Sequence, residues 1–322
     1  KYLLNHYSID YKIMKKPGKG LLSKVKYLIQ NTYQCLNFIR KNKIDIILSR
    51  VSPYAALAGF FTRTTHISLA DTESSGIYDT VFTKLVSVFM SAKSFKRQLR
   101  SDQIRFDSNT ELFYLHPYRF TPMPREKVSG LLHIDSNTPF VIMRFVSWDA
   151  YHDKGLTGFT DENKIRAVKE FSKYARVFIS SESKLISEMD SYRIKIPPEK
   201  MHDVLAHAQL FFGESSTMAS ESAVLGKPAI FLNYNWFGVT EEEEKYGLLF
   251  SFKDDLYSQK IAIQKGNELL RKQNLENELK NNHKNFMTDK IEVTAFITWF
   301  IENYPESAKI MKENPDYQYQ FK

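Results

Sequence analysis

Short apolar runs alternate with amphipathic stretches along most of the chain. Residues 44–49 (IDIILS), 66–70, 140–144, 176–180, 210–212, 229–232 and 248–250 are runs of the length and content of buried strands. A further short strand is expected near 192–196. Between them the spacing changes to that of helices. Behind a capping Ser23, the residues Val25, Leu28, Ile29, Thr32, Leu36 and Ile39 fall on one helical face. Further helices are predicted over 54–59, 78–90, 161–174, 199–208, from Thr240, over 257–272 and over 293–302. Residues 101–138 break the rhythm with Pro117, Pro122 and Pro124, followed by Pro139, and read as a linker. Strands that alternate with helices imply parallel sheets covered on both faces. The pattern therefore predicts an α/β chain of two Rossmann-like domains that face a cleft. Its divisions are 1–125, 126–290 and a helical tail over 291–322 that packs back on the first domain.

The most informative stretch is 210–232, LFFGESSTMASESAVLGKPAIFL. A strand ends at Gly213, Ser215 to Thr217 stand where a helix begins, and Gly226 with Pro228 end that helix before the next strand. The first N–H groups of such a helix are free and carry partial positive charge, which suits a phosphate. Ordinary N-capping uses the same residues, and spacing alone does not separate the two roles. Glu221, one turn on, can reach a sugar hydroxyl beside that phosphate or stand as an exposed helix glutamate.

Composition narrows the class. With 43% hydrophobic and 25% charged residues in 322, the chain is globular and long enough for two domains. No apolar run approaches the ~18 residues that span a bilayer. Cys35 is the only cysteine, which excludes an internal disulfide and fits a reducing cytoplasm. Net charge is +8, and residues 1–50 hold eleven Lys and Arg against Asp10 and Asp45. Such a face attracts a phosphorylated substrate or an anionic lipid surface, or is simply solvated. No nucleic-acid motif accompanies it, so nucleic acid is not expected as a partner.

Polar clusters follow four strands: Asp71-Thr72-Glu73, Ser147-Trp148-Asp149, Ser180-Ser181-Glu182 and the turn at Ser215. Ligands of open parallel sheets bind at such carboxyl ends. Arg144 can pair with a diphosphate there, or with a carboxylate such as Asp149. Asp71 and Glu73 are candidates for a general base, with turn formation as the other role, and His152 and His116 are alternative bases. His202 and His207 lie five apart, off the spacing of a zinc pair, and are read as structural. The acidic run 241–244 is read as compensation of a helix dipole at its N-terminus.

The segment Glu214-Ser215-Ser216-Thr217-Met218-Ala219-Ser220-Glu221-Ser222-Ala223 with Leu225-Gly226-Lys227-Pro228 resembles the donor-binding motif of the non-hydrolysing UDP-N-acetylglucosamine 2-epimerases. Nearly the whole chain is similar to the predicted glycosyltransferases of domain-of-unknown-function family 354. The segments that carry this are 52–56, 71–73, 115–117, 144–150, 196–200 and 299–307. The resemblance implies a GT-B architecture, with an acceptor-side N-terminal domain and a C-terminal domain that holds a nucleotide-sugar. It matches Ser215, Ser216 and Thr217 to a diphosphate-binding turn, Glu221 to a ribose-binding glutamate and Arg144 to the arginine after the first strand of the second domain. Ser147 and Ser180 complete the expected donor set, and Asp71, Glu73 and His152 the catalytic one. Ser216-Thr217 stands where the epimerases have Gly-Gly, and Ser220 replaces the first of their paired glutamates. The epimerase catalytic acids find no match, and a first strand and helix of the N-terminal domain are expected before residue 1.

The reading is a cytoplasmic glycosyltransferase, in peripheral contact with the inner face of the membrane through residues 1–50. It moves a sugar from a nucleotide donor, a UDP-sugar by resemblance, to a surface-polysaccharide or lipid-linked acceptor. No cofactor and no metal are expected. A UDP-N-acetylhexosamine 2-epimerase and a non-catalytic nucleotide-sugar-binding protein are the alternatives.

Overall fold

The computed structural model describes residues 1–14, 18, 20–70, 73, 77–146, 158–181, 185–233 and 237–322. The chain divides into two compact units, Lys1–Ser108 with Ala295–Phe321, and Asn109–Thr294 with Lys322.

The first unit opens with helices α1 (Tyr2–His6) and α2 (Leu21–Asn42), then β1 (Ile46–Arg50), α3 (Pro53–Thr62), β2 (Thr65–Ala70), α4 (Ile77–Phe82), β3 (Val88–Ala92) and β4 (Ile104–Phe106). The strands form one parallel sheet in the order β1-β2-β3-β4. Ser52 caps α3 by accepting from the Ala55 N–H at 3.4 Å, and Pro53 at its first turn has no N–H to leave unpaired. Ala56, Ala70, Val86, Phe89 and Phe95 form the local core.

In the second unit α5 (Leu112–Leu115) and α6 (Arg125–Leu132) precede β5 (Phe140–Phe145), α7 (Asp161–Phe171), β6 (Arg176–Ser181), α8 (Met201–Leu205), β7 (Leu210–Gly213), α9 (Ser216–Val224) and β8 (Ala229–Leu232). Then come α10 (Gly238–Lys245), β9 (Leu249–Phe252), α11 (Leu256–Arg271) and α12 (Leu275–Asp289). The sheet is parallel, in the order β6-β5-β7-β8-β9. Of its three inner strands, β7 and β8 are buried at every residue, which is why they read as unbroken apolar runs without alternation. Phe145, Phe159, Phe171, Phe212 and Ile230 are at the centre of the core.

Helix α13 (Val293–Glu302) carries the chain back to the first unit, where α14 (Glu306–Glu313) and a 3-10 helix over Pro315–Phe321 follow. There Gln318 accepts from the Asp107 N–H at 2.7 Å, and the Tyr319 hydroxyl donates to Asp107 at 2.9 Å.

Several elements differ from the pattern reading. The helix expected over 78–90 ends early, and its last residues belong to the fully buried strand β3. The proline-rich stretch 101–138 is not a plain linker, for it holds β4, α5 and α6. The division between units falls at Ser108. The strand expected near 192–196 is reduced to one bridge, Ile179 with Arg193, after a 3-10 helix over Ser187–Tyr192.

Candidate functional site

The carboxyl ends of β5, β6 and β7 bring Arg144, Ser180 and Gly213 side by side. Arg144 pairs in register with Ser180 on one side and with Gly213 on the other. Its Nη1 donates to the Ser180 hydroxyl at 2.7 Å. A Cβ on Gly213 would lie 2.3 Å from the Arg144 carbonyl oxygen, so only glycine lets the two backbones meet there. The next residue, Glu214, is buried, and its N–H donates to that same carbonyl at 3.0 Å.

The Glu214 carboxylate accepts the Val146 N–H at 2.9 Å and the Phe159 N–H at 2.6 Å, so it serves the scaffold rather than a ligand. Ser215 caps α9, accepting from the Met218 N–H at 3.3 Å. Among the described residues the N–H groups of Ser216 and Thr217 have no acceptor. Thr217 is exposed. The turn is thus both a capped helix start and a pair of open donors at the positive end of a helix dipole. The side-chain capping bond of the helix start comes from Ser215.

Glu221 is not an exposed helix glutamate. It is buried, and its Oε1 accepts from the Tyr114 hydroxyl at 3.0 Å and meets His202 Nε2 at 3.0 Å. The Tyr114 and His202 rings lie against each other, tilted by 31° with centroids 5.4 Å apart. His202 therefore holds a carboxylate, a role that its spacing from His207 does not suggest. His207 itself meets the Met123 carbonyl at 2.6 Å, a structural contact.

Behind α9 lies a second carboxyl cluster. Glu243 is fully buried, and its Oε1 accepts from Asn109 Nδ2 at 2.8 Å and from the Ser220 hydroxyl. Its Oε2 is buried without a partner. Glu111 is also buried, and burial followed by the neighbouring Glu221 charge raises its pKa. Burial, then the Glu111 charge, raises the Glu243 pKa well above the carboxylate range. This corrects the dipole reading of 241–244: Glu241 is in the first turn of α10, whereas Glu243 points into the core. Ser220, in place of a second glutamate, gives Glu243 a donor.

A carboxyl group whose folded pKa is raised stabilises the fold fully below the ordinary carboxylate pKa, and that stability is lost as pH rises through the folded value. Glu243→Gln keeps an acceptor for Ser220 and Asn109 and removes the ionisation. Thermal melts are expected to show the variant ~2–4 °C more stable at pH 8, about 1 kcal/mol for a chain of this size. Its advantage should shrink toward pH 4.5, and an unchanged or lower melting temperature at pH 8 contradicts the assignment.

Of the expected catalytic residues, Glu73 accepts the backbone N–H of Lys96, 23 residues along the chain, at 2.9 Å. Asp71, His152 and the donor candidate Ser147 lie outside the described residues.

Solved structures share this fold. UDP-GlcNAc 2-epimerase from Neisseria meningitidis, bound to UDP-GlcNAc, aligns with a TM-score of 0.60 at 14% identity, over 89% of this chain and 86% of its own. MurG from Acinetobacter baumannii aligns at 0.54 and 14% identity, over 88% and 83%. A glycosyltransferase from Rickettsia africae aligns at 0.58 and 12% identity, over 96% and 87%. No protein-family model and no curated protein matches the chain. The parallel sheets and these likenesses define the class: an α/β protein of GT-B type with two Rossmann-like units.

Proposed function

We propose that the chain is a glycosyltransferase of the kind grouped in domain-of-unknown-function family 354, acting on a UDP-sugar. One observation carries the reading: Arg144 at the end of β5 stands in register with Ser180 and Gly213, beside the open N–H groups that begin α9. A guanidinium and a helix start together suit a diphosphate. Glu221, fixed by Tyr114 and His202, is the acceptor for the ribose hydroxyls. The likeness to proteins solved with UDP or UDP-GlcNAc supports the choice of nucleotide.

In the transfer, the bond between the sugar C1 and the diphosphate oxygen breaks and the diphosphate leaves with the electron pair. The acceptor hydroxyl oxygen bonds to C1, and its proton passes to a base. Arg144 and the α9 N-terminus stabilise the charge on the departing diphosphate. Asp71, Glu73 and His152 are the proposed bases, of which Glu73 already accepts a backbone N–H. The acceptor is proposed to be lipid-linked or a surface polysaccharide, met in the cytoplasm at the membrane's inner face. Leu22, Val25, Ile29 and Tyr33 are exposed along α2, and Lys24 and Lys26 stand among them, as an anionic lipid surface would favour. No helix among the described residues is long and apolar enough to cross a membrane.

NMR of a UDP-N-acetylhexosamine with the protein tests the reaction type. Release of UDP only when a glycan or polyprenyl-phosphate-linked acceptor is added is expected. A C2 epimer formed from the donor alone would instead identify an epimerase.

A further inference from the structure

The other end of the same sheet carries a second feature. A groove of ≈ 620 Å³ opens where β5, β7 and β8 begin, walled by the end of α11 and the start of α12. Lys227, Lys272 and Arg125 line it, against Glu276 as its carboxylate. Arg125 is locked in place: it donates to the Ser136 carbonyl at 3.0 Å, the His207 carbonyl at 2.9 Å and the Thr138 carbonyl, and lies 4.5 Å over the Phe140 ring. Its hydrogen bonds are spent on neutral carbonyls, and the Glu126 carboxylate is a nearby opposing charge. Lys272 pairs with Glu278 at 2.6 Å.

Lys227 differs from both. It is partly buried, and among the described residues its ammonium has no hydrogen-bond acceptor and no ion pair. Burial lowers its pKa, and Arg125 adds to this while Glu276 opposes it. A lysine partly withdrawn from water, with Glu276 near but not hydrogen-bonded to it, gains from an anion that reaches its ammonium. The start of α12 adds to the field. Asn274, its N-cap, is left-handed at φ 61° and gives no side-chain bond to the first turn, so the helix begins with open donors.

The rest of the lining narrows the ligand. Asn137, Gln209 and Asn277 offer amide groups for hydroxyls, and among the described residues no Phe, Tyr or Trp lines the groove to stack a base. We propose that this groove binds a sugar phosphate, its phosphoryl group at Lys227 and the start of α12, as a ligand separate from the donor. The site lies at the amino ends of β7 and β8, whereas Arg144 and Ser215 stand at carboxyl ends, so both can be occupied together. The inference does not depend on the reaction proposed for the donor site.

Glucose 1-phosphate and inorganic phosphate, titrated calorimetrically into an Arg144→Ala background, test it, because that background weakens the other phosphate site. Saturable binding is expected, with glucose 1-phosphate the tighter ligand. Lys227→Met should weaken it about tenfold or more, as loss of a charge-assisted hydrogen bond does. Glu276→Gln should tighten it several-fold by removing the opposing carboxylate. Absence of saturable binding in the Arg144→Ala background overturns the proposal. So does a folded Lys227→Met that binds as its parent does, or a Lys265→Met surface control that loses as much. If Lys227→Met does not fold, Glu276→Gln decides, and unchanged or weaker binding by it is the overturning result.

Discussion

Gly213→Val is expected to abolish UDP binding and to destabilise the second unit by ~3 kcal/mol, the upper end of what overpacking usually costs. The cause is backbone, not side chain. A Cβ at 213 would stand 2.3 Å from the Arg144 carbonyl oxygen, 2.9 Å from its nitrogen and 3.0 Å from its carbonyl carbon. None of these atoms can move without separating β5 from β7, because Arg144 and Gly213 are register partners. Arg144 and the start of α9 are the two halves of the proposed phosphate site, so the same change that loosens the sheet spreads the site. Even Gly213→Ala should show both losses. A denaturant melt with a midpoint like the parent's, with UDP affinity intact, would contradict this geometry.

The second large effect concerns Glu214. Its buried carboxylate accepts two backbone N–H groups, from Val146 and Phe159, which lie at either side of residues 147–158 in the sequence. Glu214→Ala leaves both donors without that acceptor. A buried unsatisfied group costs ~1–3 kcal/mol; the Phe159 N–H is buried and the Val146 N–H partly so, and the pair should cost about 2–4 kcal/mol. Glu214→Gln retains one acceptor oxygen for one of the two N–H groups and should lose about half of that. Equilibrium urea unfolding of the two variants measures the difference. Equal stability of the alanine and glutamine variants would mean that the two N–H bonds carry none of the effect.

The sequence made these residues visible to different degrees. The β7–α9–β8 unit was legible because two wholly buried strands leave unbroken apolar runs, and Gly213 and Gly226 mark their turns. The strand β3 was not, since Val81, Leu85 and Val86 continue an apolar spacing that helices also show, and only pairing with β2 makes 88–92 a strand. Helix α12 is rich in Asn, Lys and Glu and buries only Leu279 and Phe286, too little to mark a face. The prolines of 101–138 suggested a linker, although Pro124 begins a helix as the cap of α6.

Within the site, Arg144 and the 215–217 turn could be read from their place after strands. The support of Glu221 could not. Tyr114 and His202 stand 107 and 19 residues away in the chain and meet it only after folding. Glu243 was hidden for another reason: four successive glutamates look alike in sequence, and only the packing of α10 decides which one is buried. The chemistry that local pattern misses here is chemistry made by long-range contact.

The most direct measurement of the central claim is the affinity of the protein for UDP, by isothermal titration at pH 7. Saturable binding is predicted, weakened about tenfold to a hundredfold by Arg144→Ala and by Glu221→Ala, since each removes a charged partner worth ~1.5–3 kcal/mol. No binding of UDP, or an affinity in both variants equal to the parent's, would contradict the assignment of the β5–α9 strand ends to a nucleotide-sugar.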